Sequence, residues 1–465
     1  MFEFQRFIIA LSCLILWSGV VTEGASAAGG RLDISPMTEG MQDIGMHVPK
    51  DLQSMIDHAR AGDVLELEAG VYKGPVRIDK PLHMIGKGNA VVDGSGRGPV
   101  IQVDADGVRL EGLVIRNSGR RSKEDKAGVL LRGSRCRVAY NRFEECVIGI
   151  LLSGARGNQI VGNQMDGFPD KAVHLRGHAI ELDRSHGNRI ENNRIDGFLD
   201  GVYVERSAAN RLVNNCITRS RYGFHFMIRA DRNEVHRNEV AESLIGVLVM
   251  DSDQIRITGN FLHGNRSFQG YGAVLYGTRD TVVQNNLIAD NGTGLMLEKS
   301  TNNLLRENTV IGNQLGLEVK TGTANNRIVR NNFVANQFQV RQAGNWANPL
   351  DDGREGNFWD DYSGMDGNGD GVGDVPHVMQ LWFAVLTERF PAMALYAHSP
   401  AVAALMSAPV GGEGEPMDGH PLVQPVQWEE PEQRPPQWRD VILFGCIFLL
   451  GVLGFITGMR KGRAM

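Results

Sequence analysis

Cysteine is scarce in this 465-residue chain: there are five, and two of them, Cys13 and Cys446, lie inside long apolar runs. The other three, Cys136, Cys146 and Cys216, cannot all pair with one another, and their spacings match no zinc pattern. Neither a disulfide framework nor a zinc centre therefore organises the fold, and the thiols read as small buried hydrophobes. Aromatics are few, at 7%, and positive charge is not in excess, with a net charge of −6. That balance argues against a nucleic-acid binder. The H-E-x-x-H, phosphate-loop and G-x-S-x-G signatures are absent, and with them the commonest metalloprotease, nucleotide-hydrolysing and serine-hydrolase chemistries. Long apolar runs occur only at the two ends.

The first run, Phe7 to Val21, follows Arg6 and precedes the small-residue site Ala25-Ser26-Ala27. This is the order of a secretory signal, and it places the start of the exported chain near Ala28. The second run, Val441 to Met459, carries no charge and has Trp438 and Arg439 at one edge and Arg460, Lys461 and Arg463 at the other. Its length suits a bilayer crossing, and basic residues stay on the cytoplasmic side, so the body is expected outside and the C-terminus inside. The chain divides into a signal peptide (1–27), an N-terminal segment with a capping helix (28–62), a repetitive body (63–363), an Asp/Gly-rich loop with a helical tail (364–408), a Pro-rich linker (409–438), a membrane helix (439–460) and a cytoplasmic tail (461–465).

What the sequence has in abundance is glycine, 57 residues of it, and a repeat. AIELDRS (179–185), GVYVERS (201–207), GFHFMIR (223–229), GVLVMDS (246–252), GAVLYGT (272–278), GLMLEKS (294–300) and GLEVKTG (316–322) start 22, 22, 23, 26, 22 and 22 residues apart. An Asn-x-(Ile/Leu/Val)-x-x-Asn motif follows, as in Asn188/Asn193, Asn210/Asn215 and Asn326/Asn331. A period near 22 with alternating apolar residues is one coil of a parallel β-solenoid; the leucine-rich-repeat frame is missing. The expected fold is all-β: a right-handed parallel β-helix with a short N-terminal capping helix, a C-terminal helical tail (Leu381 to Leu405) and one membrane helix. The capping helix is expected over Asp51 to Ala61, opening on an acidic N-cap. Asn residues are expected to stack in ladders, and Gly and Asn to supply left-handed corners.

Alternation points every second residue of a strand outward. On one sheet the outward column reads Glu181/Asp183, Tyr203/Glu205, His225/Met227, Leu248/Met250, Val274/Tyr276, Met296/Glu298 and Glu318/Lys320. His225, Met227 and Met250 then share a surface: an imidazole and two thioethers, a soft set that suits Cu(I). Glu205, Met296 and Glu298 flank it as a secondary copper or partner patch. Exposed methionines also mark adaptable protein interfaces, and the two readings are compatible. Met37, Met41, Met46 and His47 form a further thioether-rich stretch, suited to a copper-trapping arm or to packing under a cap.

Asp366, Asn368, Asp370, Val372 and Asp374 fit the D-x-N-x-D-G frame of a calcium loop, but position twelve is His377 rather than Glu. A calcium site of reduced affinity and a metal-free, turn-rich cap both satisfy that pattern.

Three stretches carry a family resemblance: Gly356 to Tyr362 (GNFWDDY) with GMDGNGDGVGDVP (364–376), Tyr222-Gly-Phe-His-Phe-Met227, and LQSMIDHARAGDVLELEAGVYKG near the start. Over roughly residues 45 to 425 the chain resembles the NosD family. The resemblance implies a periplasmic β-helix docked on the permease and ATPase subunits of a copper ABC transporter. Such a protein receives copper, transiently as Cu(I), from a chaperone and helps assemble the copper sites of nitrous oxide reductase or a related client. Phe226 stands where that family usually has Tyr, and His377 likewise.

The rival readings are a carbohydrate-active β-helix enzyme and a non-catalytic, adhesin-like scaffold. Glu181, Asp183 and Glu205 are the carboxylates a glycosidase would need on the outer sheet, and Arg184 or Arg206 would serve a lyase. His225/Met227 and Leu248/Met250 interrupt that acidic column, so no catalytic residue is assigned and a non-enzymatic role is expected.

Overall fold

The computed structural model describes residues 50–168, 170–267, 270–343, 346–379, 386–387, 389–396, 399, 402 and 415–427. The segments read as signal peptide, methionine-rich arm and membrane helix lie outside the described residues. Among the described residues no helix is long and apolar enough to cross a membrane.

Helix α1 (Leu52–His58) opens the body, with the Asp51 carboxylate accepting the Ser54 N–H at 3.3 Å. Its Leu52 and Ile56 are buried against the open end of the first coil. At its other end the Lys80 ammonium donates to the carbonyls of Ile56, Asp57 and Ala59 (3.1–3.2 Å), where the helix dipole favours a cation.

From Val64 onward the chain winds as a parallel solenoid. Three faces form sheets of 12, 13 and 12 described strands, each strand pairing in parallel with its counterpart one coil away. The expected register holds. On the third face Tyr203 pairs with His225, His225 with Leu248, and Met227 with Met250. Val202, Val204, Phe224, Phe226, Val247 and Val249 point inward and are fully buried. Cys136 and Cys146 join the core, and burial pushes the Cys146 thiol up to about 12. All three described thiols are free.

The asparagines form continuous hydrogen-bonded columns. The longer runs Asn141, Asn163, Asn193, Asn215, Asn238, Asn260, Asn286, Asn308, Asn331 and Asn357; each Oδ1 accepts both the main-chain N–H and the side-chain amide of the preceding member, at 2.8–3.1 Å. Corner chemistry is broader than the expectation. Glycines and asparagines supply left-handed corners as expected, among them Gly157, Gly187, Asn192 and Asn214, but Arg206 and Lys299 adopt that backbone too, and the ladder asparagines themselves do not. The leading glycines are kept for space: a Cβ on Gly201, Gly223 or Gly294 would stand 2.6–2.7 Å from the carbonyl oxygen of the corresponding glycine in the next coil.

Three coils are longer than the rest. Ile101 pairs with Val129, Ile150 with Ile180 and Val247 with Ala273, steps of 28, 30 and 26 residues against 22 from Ile180 to Val202. In each the extra residues leave the corner that precedes the third face.

The far end departs from the sequence reading. Residues 415–427, within the stretch read as a linker, fold back as part of a cap. Met417–Asp418 pairs antiparallel with His377–Val378, and Leu422 bridges to both Phe358 and Val372. Asp418 is fully buried; its carboxylate accepts the N–H of Asn357 at 2.7 Å and the indole N–H of Trp359 at 2.9 Å. Proline and glutamate made this stretch read as extended, but one acceptor at the ladder's end and one leucine suffice to dock it. Of the helical tail expected over 381–405, the described part contains α-helical residues at 386, 387, 389 and 402 and a 3-10 turn, Pro391–Tyr396.

Candidate functional site

On the third face, the strands Asp200–Glu205, Tyr222–Met227 and Ile245–Met250 lie side by side. They form part of a cleft of about 830 Å³, walled by the insertions around residues 120–126 and 171–177. His225, Met227 and Met250 all line it, so the structure brings together the three residues singled out for copper. The sequence places His225 on an open surface; in the structure it is only 5% exposed, because the insertions and neighbouring rings cover it. Its imidazole meets Tyr203 and Tyr222 edge-on, with ring centroids 5.0 Å apart in each case.

Its orientation is fixed from behind. Nδ1 of His225 lies 3.0 Å from a carboxylate oxygen of Asp200, which Arg221 also grips through two nitrogens at 2.9 and 3.0 Å. Burial pushes the Asp200 carboxyl up, but the hydrogen bonds from His225 and Arg221 outweigh it and hold the group below the usual carboxylate range. An ionised Asp200 can only accept, so Nδ1 carries a proton, and in the neutral imidazole the lone pair is then on Nε2. That Nε2 is buried without a hydrogen-bond partner among the described residues. A carboxylate-anchored imidazole with its other nitrogen unspent is how metal-ligating histidines are commonly arranged. Met227 is also positioned: the Tyr203 hydroxyl donates to its sulfur at 3.5 Å, and burial pushes that phenol up to about 12. His178 stacks on Tyr203 at 4.7 Å, and burial lowers its imidazole below the ordinary value. Among the described residues no group of three His, Cys, Asp or Glu side chains is placed to hold a metal; the donor set here rests on thioethers.

The flanking residues separate. Glu205 lines the cleft and pairs with Arg206 at 3.0 Å. Met296 instead packs in an apolar strip with Ile245, Leu248 and Val274, and Glu298 faces Lys320 at 3.9 Å. The structure thus leaves Met296 and Glu298 outside the cleft, two coils from Leu248 and Met250, roughly 10 Å at ordinary strand spacing. The carboxylates of the enzyme reading are all engaged: Glu181 by Lys123 at 2.5 Å, and Asp183 by Arg184 and Arg206 at 3.1 and 3.3 Å. Asp200, Arg221 and His178 are the residues that the sequence reading overlooked. Asp200 sits in a column continued by Tyr222, Ile245 and Tyr271, and a lone carboxylate there was the available signal.

In the Asp/Gly loop the acids serve the loop itself. Asp366 accepts the N–H groups of Gly369, Asp370 and Gly371 (2.7–3.2 Å), Asp374 accepts that of Gly367 at 2.7 Å, and Asn368 and Asp370 bond to each other. Asp370 also accepts the Val372 N–H at 2.9 Å. The turn so formed receives the folded-back segment, with Gly373 donating to Pro421 and Val423 to Gly371.

Residues 165–364, which include His225, Met227 and Met250, match the family described as periplasmic copper-binding protein (NosD). Over these residues the chain is similar to the NosD family. Residues 88–240 also match the right-handed β-helix region model, consistent with the coils described above. A probable ABC transporter binding protein NosD from Pseudomonas aeruginosa is 28% identical over 380 residues, covering 77% of this chain and 87% of that protein. Its namesake from Stutzerimonas stutzeri is 26% identical over 442 residues, covering 90% and 95%. Among solved structures, this chain is similar to the A-module of mannuronan C-5 epimerase AlgE6 of Azotobacter vinelandii (14% identity, TM-score 0.43, 67% of this chain and 90% of that one). It is also similar to DFA-IIIase of Arthrobacter chlorophenolicus A6 without its lid (16% identity, TM-score 0.45, 62% and 93%).

Proposed function

We propose that this protein is the periplasmic β-helical component of a copper ABC transport and maturation system. It takes up Cu(I) transiently at His225, Met227 and Met250 and assists copper-site assembly in a client such as nitrous oxide reductase. The observation that carries the reading is the buried, unpartnered Nε2 of His225, held by Asp200 beside two thioethers. Neutral imidazole and thioether donors favour Cu(I) over harder divalent ions, and a set this small suits cargo that must leave again. The family description and the transporter-linked names of the relatives support the same role. The protein is read as a non-enzyme, since Glu181 and Asp183 are both spent on ion pairs. A C-terminal membrane anchor, docking on permease and ATPase subunits, a chaperone as copper donor and calcium in the Asp366 loop complete the proposal.

The test is anaerobic competition for Cu(I) between the purified full chain and a chromogenic chelator. One equivalent should bind, with affinity falling at least tenfold in His225→Ala and in Met250→Leu. Unchanged affinity in both variants would remove these side chains from the copper path.

A further inference from the structure

The cleft that holds the candidate copper ligands has the wrong sign for a free cation. Six of its lining residues are Arg or Lys (Arg120, Lys123, Lys126, Lys171, Arg176 and Arg221), against two glutamates, Glu181 and Glu205. The chain as a whole is net negative, −6, so this concentration of positive charge is local. Some of it is used internally: Lys123 meets Glu181, Arg221 meets Asp200, and Arg176 donates to the carbonyls of Lys171 and Arg219. Arg120, Lys126 and Lys171 remain at the mouth with no carboxylate partner among the described residues, and Lys171 lies over the Phe168 ring at 3.5 Å.

The collar comes from the long coils. Arg120 and Lys126 stand on the first insertion, and Lys171 on the second; loop insertions gathered on one face of a solenoid commonly build its binding surface. The second insertion also presents Val173 and Leu175 to solvent, 41% and 62% exposed, on a 3-10 turn. Cations beside exposed aliphatic side chains describe a protein-binding lip better than an ion funnel.

We infer that the cleft receives an acidic segment of a protein copper carrier, gripped by Arg120, Lys126 and Lys171 and seated against Val173 and Leu175. The inference rests on the copper reading of His225, Met227 and Met250 and specifies how the metal arrives: carried in by a partner of opposite charge, then exchanged between ligands. A bare Cu(I) ion is repelled by the collar, whereas an acidic carrier is steered to it, and salt weakens that steering.

The experiment uses the full chain, a fluorescein-labelled octaglutamate peptide ending in Leu-Leu, and an oligoguluronate of equal charge as competitor. The peptide should bind, more weakly as salt is raised. It should lose at least tenfold in affinity for the Arg120→Glu/Lys126→Glu/Lys171→Glu variant, and several-fold for Val173→Ser/Leu175→Ser. Cu(I) affinity, measured by chelator competition, should stay within about twofold of the parent for Val173→Ser/Leu175→Ser and should be equal or higher for the charge reversal, which removes the repulsion. These positions are exposed or half-exposed, so far-UV circular dichroism should confirm intact coils. Peptide binding that ignores the charge reversal overturns the inference, and so does oligoguluronate displacing the peptide at equal or lower concentration, which would make the cleft a glycan site. Peptide binding without Cu(I) binding would keep the docking surface and remove the copper reading; Cu(I) binding without peptide binding would do the reverse.

Discussion

Asp200 and His225 stand one coil apart and share a hydrogen bond of 3.0 Å, carboxylate oxygen to Nδ1, at the floor of the cleft. The bond decides which imidazole nitrogen is available, since an acceptor behind the ring commits the proton to Nδ1. Asp200→Asn keeps the shape but offers an amide that can present either a donor or an acceptor. We predict that Cu(I) affinity falls by roughly 10–100-fold, the usual cost of losing such a support. Chelator competition on the folded variant measures it; affinity within twofold of the parent would show that the tautomer does not matter.

Asn215 sits mid-ladder. Its Oδ1 accepts from Asn193 N–H and side-chain amide, and its own amide donates to Ile190 and Asn238. Asn215→Ala strands several buried groups at once, and at about 1–3 kcal/mol for each one left unsatisfied we expect a loss of at least about 3 kcal/mol. Urea unfolding gives the number. A loss below about 1 kcal/mol would mean that water enters the coil and replaces the amide.

Much of this was legible beforehand. The 22-residue beat, the inward and outward sets and two of the asparagine columns follow from a period that side-chain alternation converts directly into register, and so does the alignment of Met227 with Met250; a further column, Asn265, Asn291, Asn313 and Asn336, lies outside the motif. Asp200 was not legible, because its partner His225 lies 25 residues on and repetition says nothing about a position where one coil differs from its neighbours. The collar was missed for a related reason: Arg120, Lys126 and Lys171 stand on insertions, where the repeat is interrupted. Asp418 was hidden in a composition that reads as linker, since docking there depends on single residues.

Asp418→Ala should leave the coils intact and release the cap. Its carboxylate receives Asn357 and Trp359, which in the variant would find water only if residues 415–427 moved away. Limited proteolysis should cut within that segment several-fold faster than in the parent, with a smaller change in Tm than Asn215→Ala. Equal cleavage rates would show that Leu422 and the short strand hold the cap without it.

The pH prediction concerns His178. Burial lowers its pKa, against the opposing pull of Asp200 and Glu181, so the folded state favours the neutral ring. Its contribution is fully present above the ordinary histidine value, near 6.5, and is lost as pH falls through that value towards the depressed one. His178→Phe keeps a ring to stack on Tyr203 but takes up no proton. Denaturation midpoints between pH 7.5 and 5 should therefore decline less steeply in the variant; His186 and His236, also lowered by burial, supply the remaining slope. Parallel curves would remove His178 from the acid response.

The asparagine ladder has a direction. Between rungs the bonds run one way, each asparagine giving its main-chain N–H and an amide hydrogen to the Oδ1 of the next, so a new coil can be spliced in anywhere along it without changing the rule. This column closes on Asp418, whose carboxylate takes the main-chain N–H of Asn357 in place of a further asparagine. The number of coils is therefore written by no single repeat: duplication of a 22-residue unit would lengthen the rod in register, and the position of one carboxylate, delivered from 61 residues beyond the last asparagine, marks where it stops.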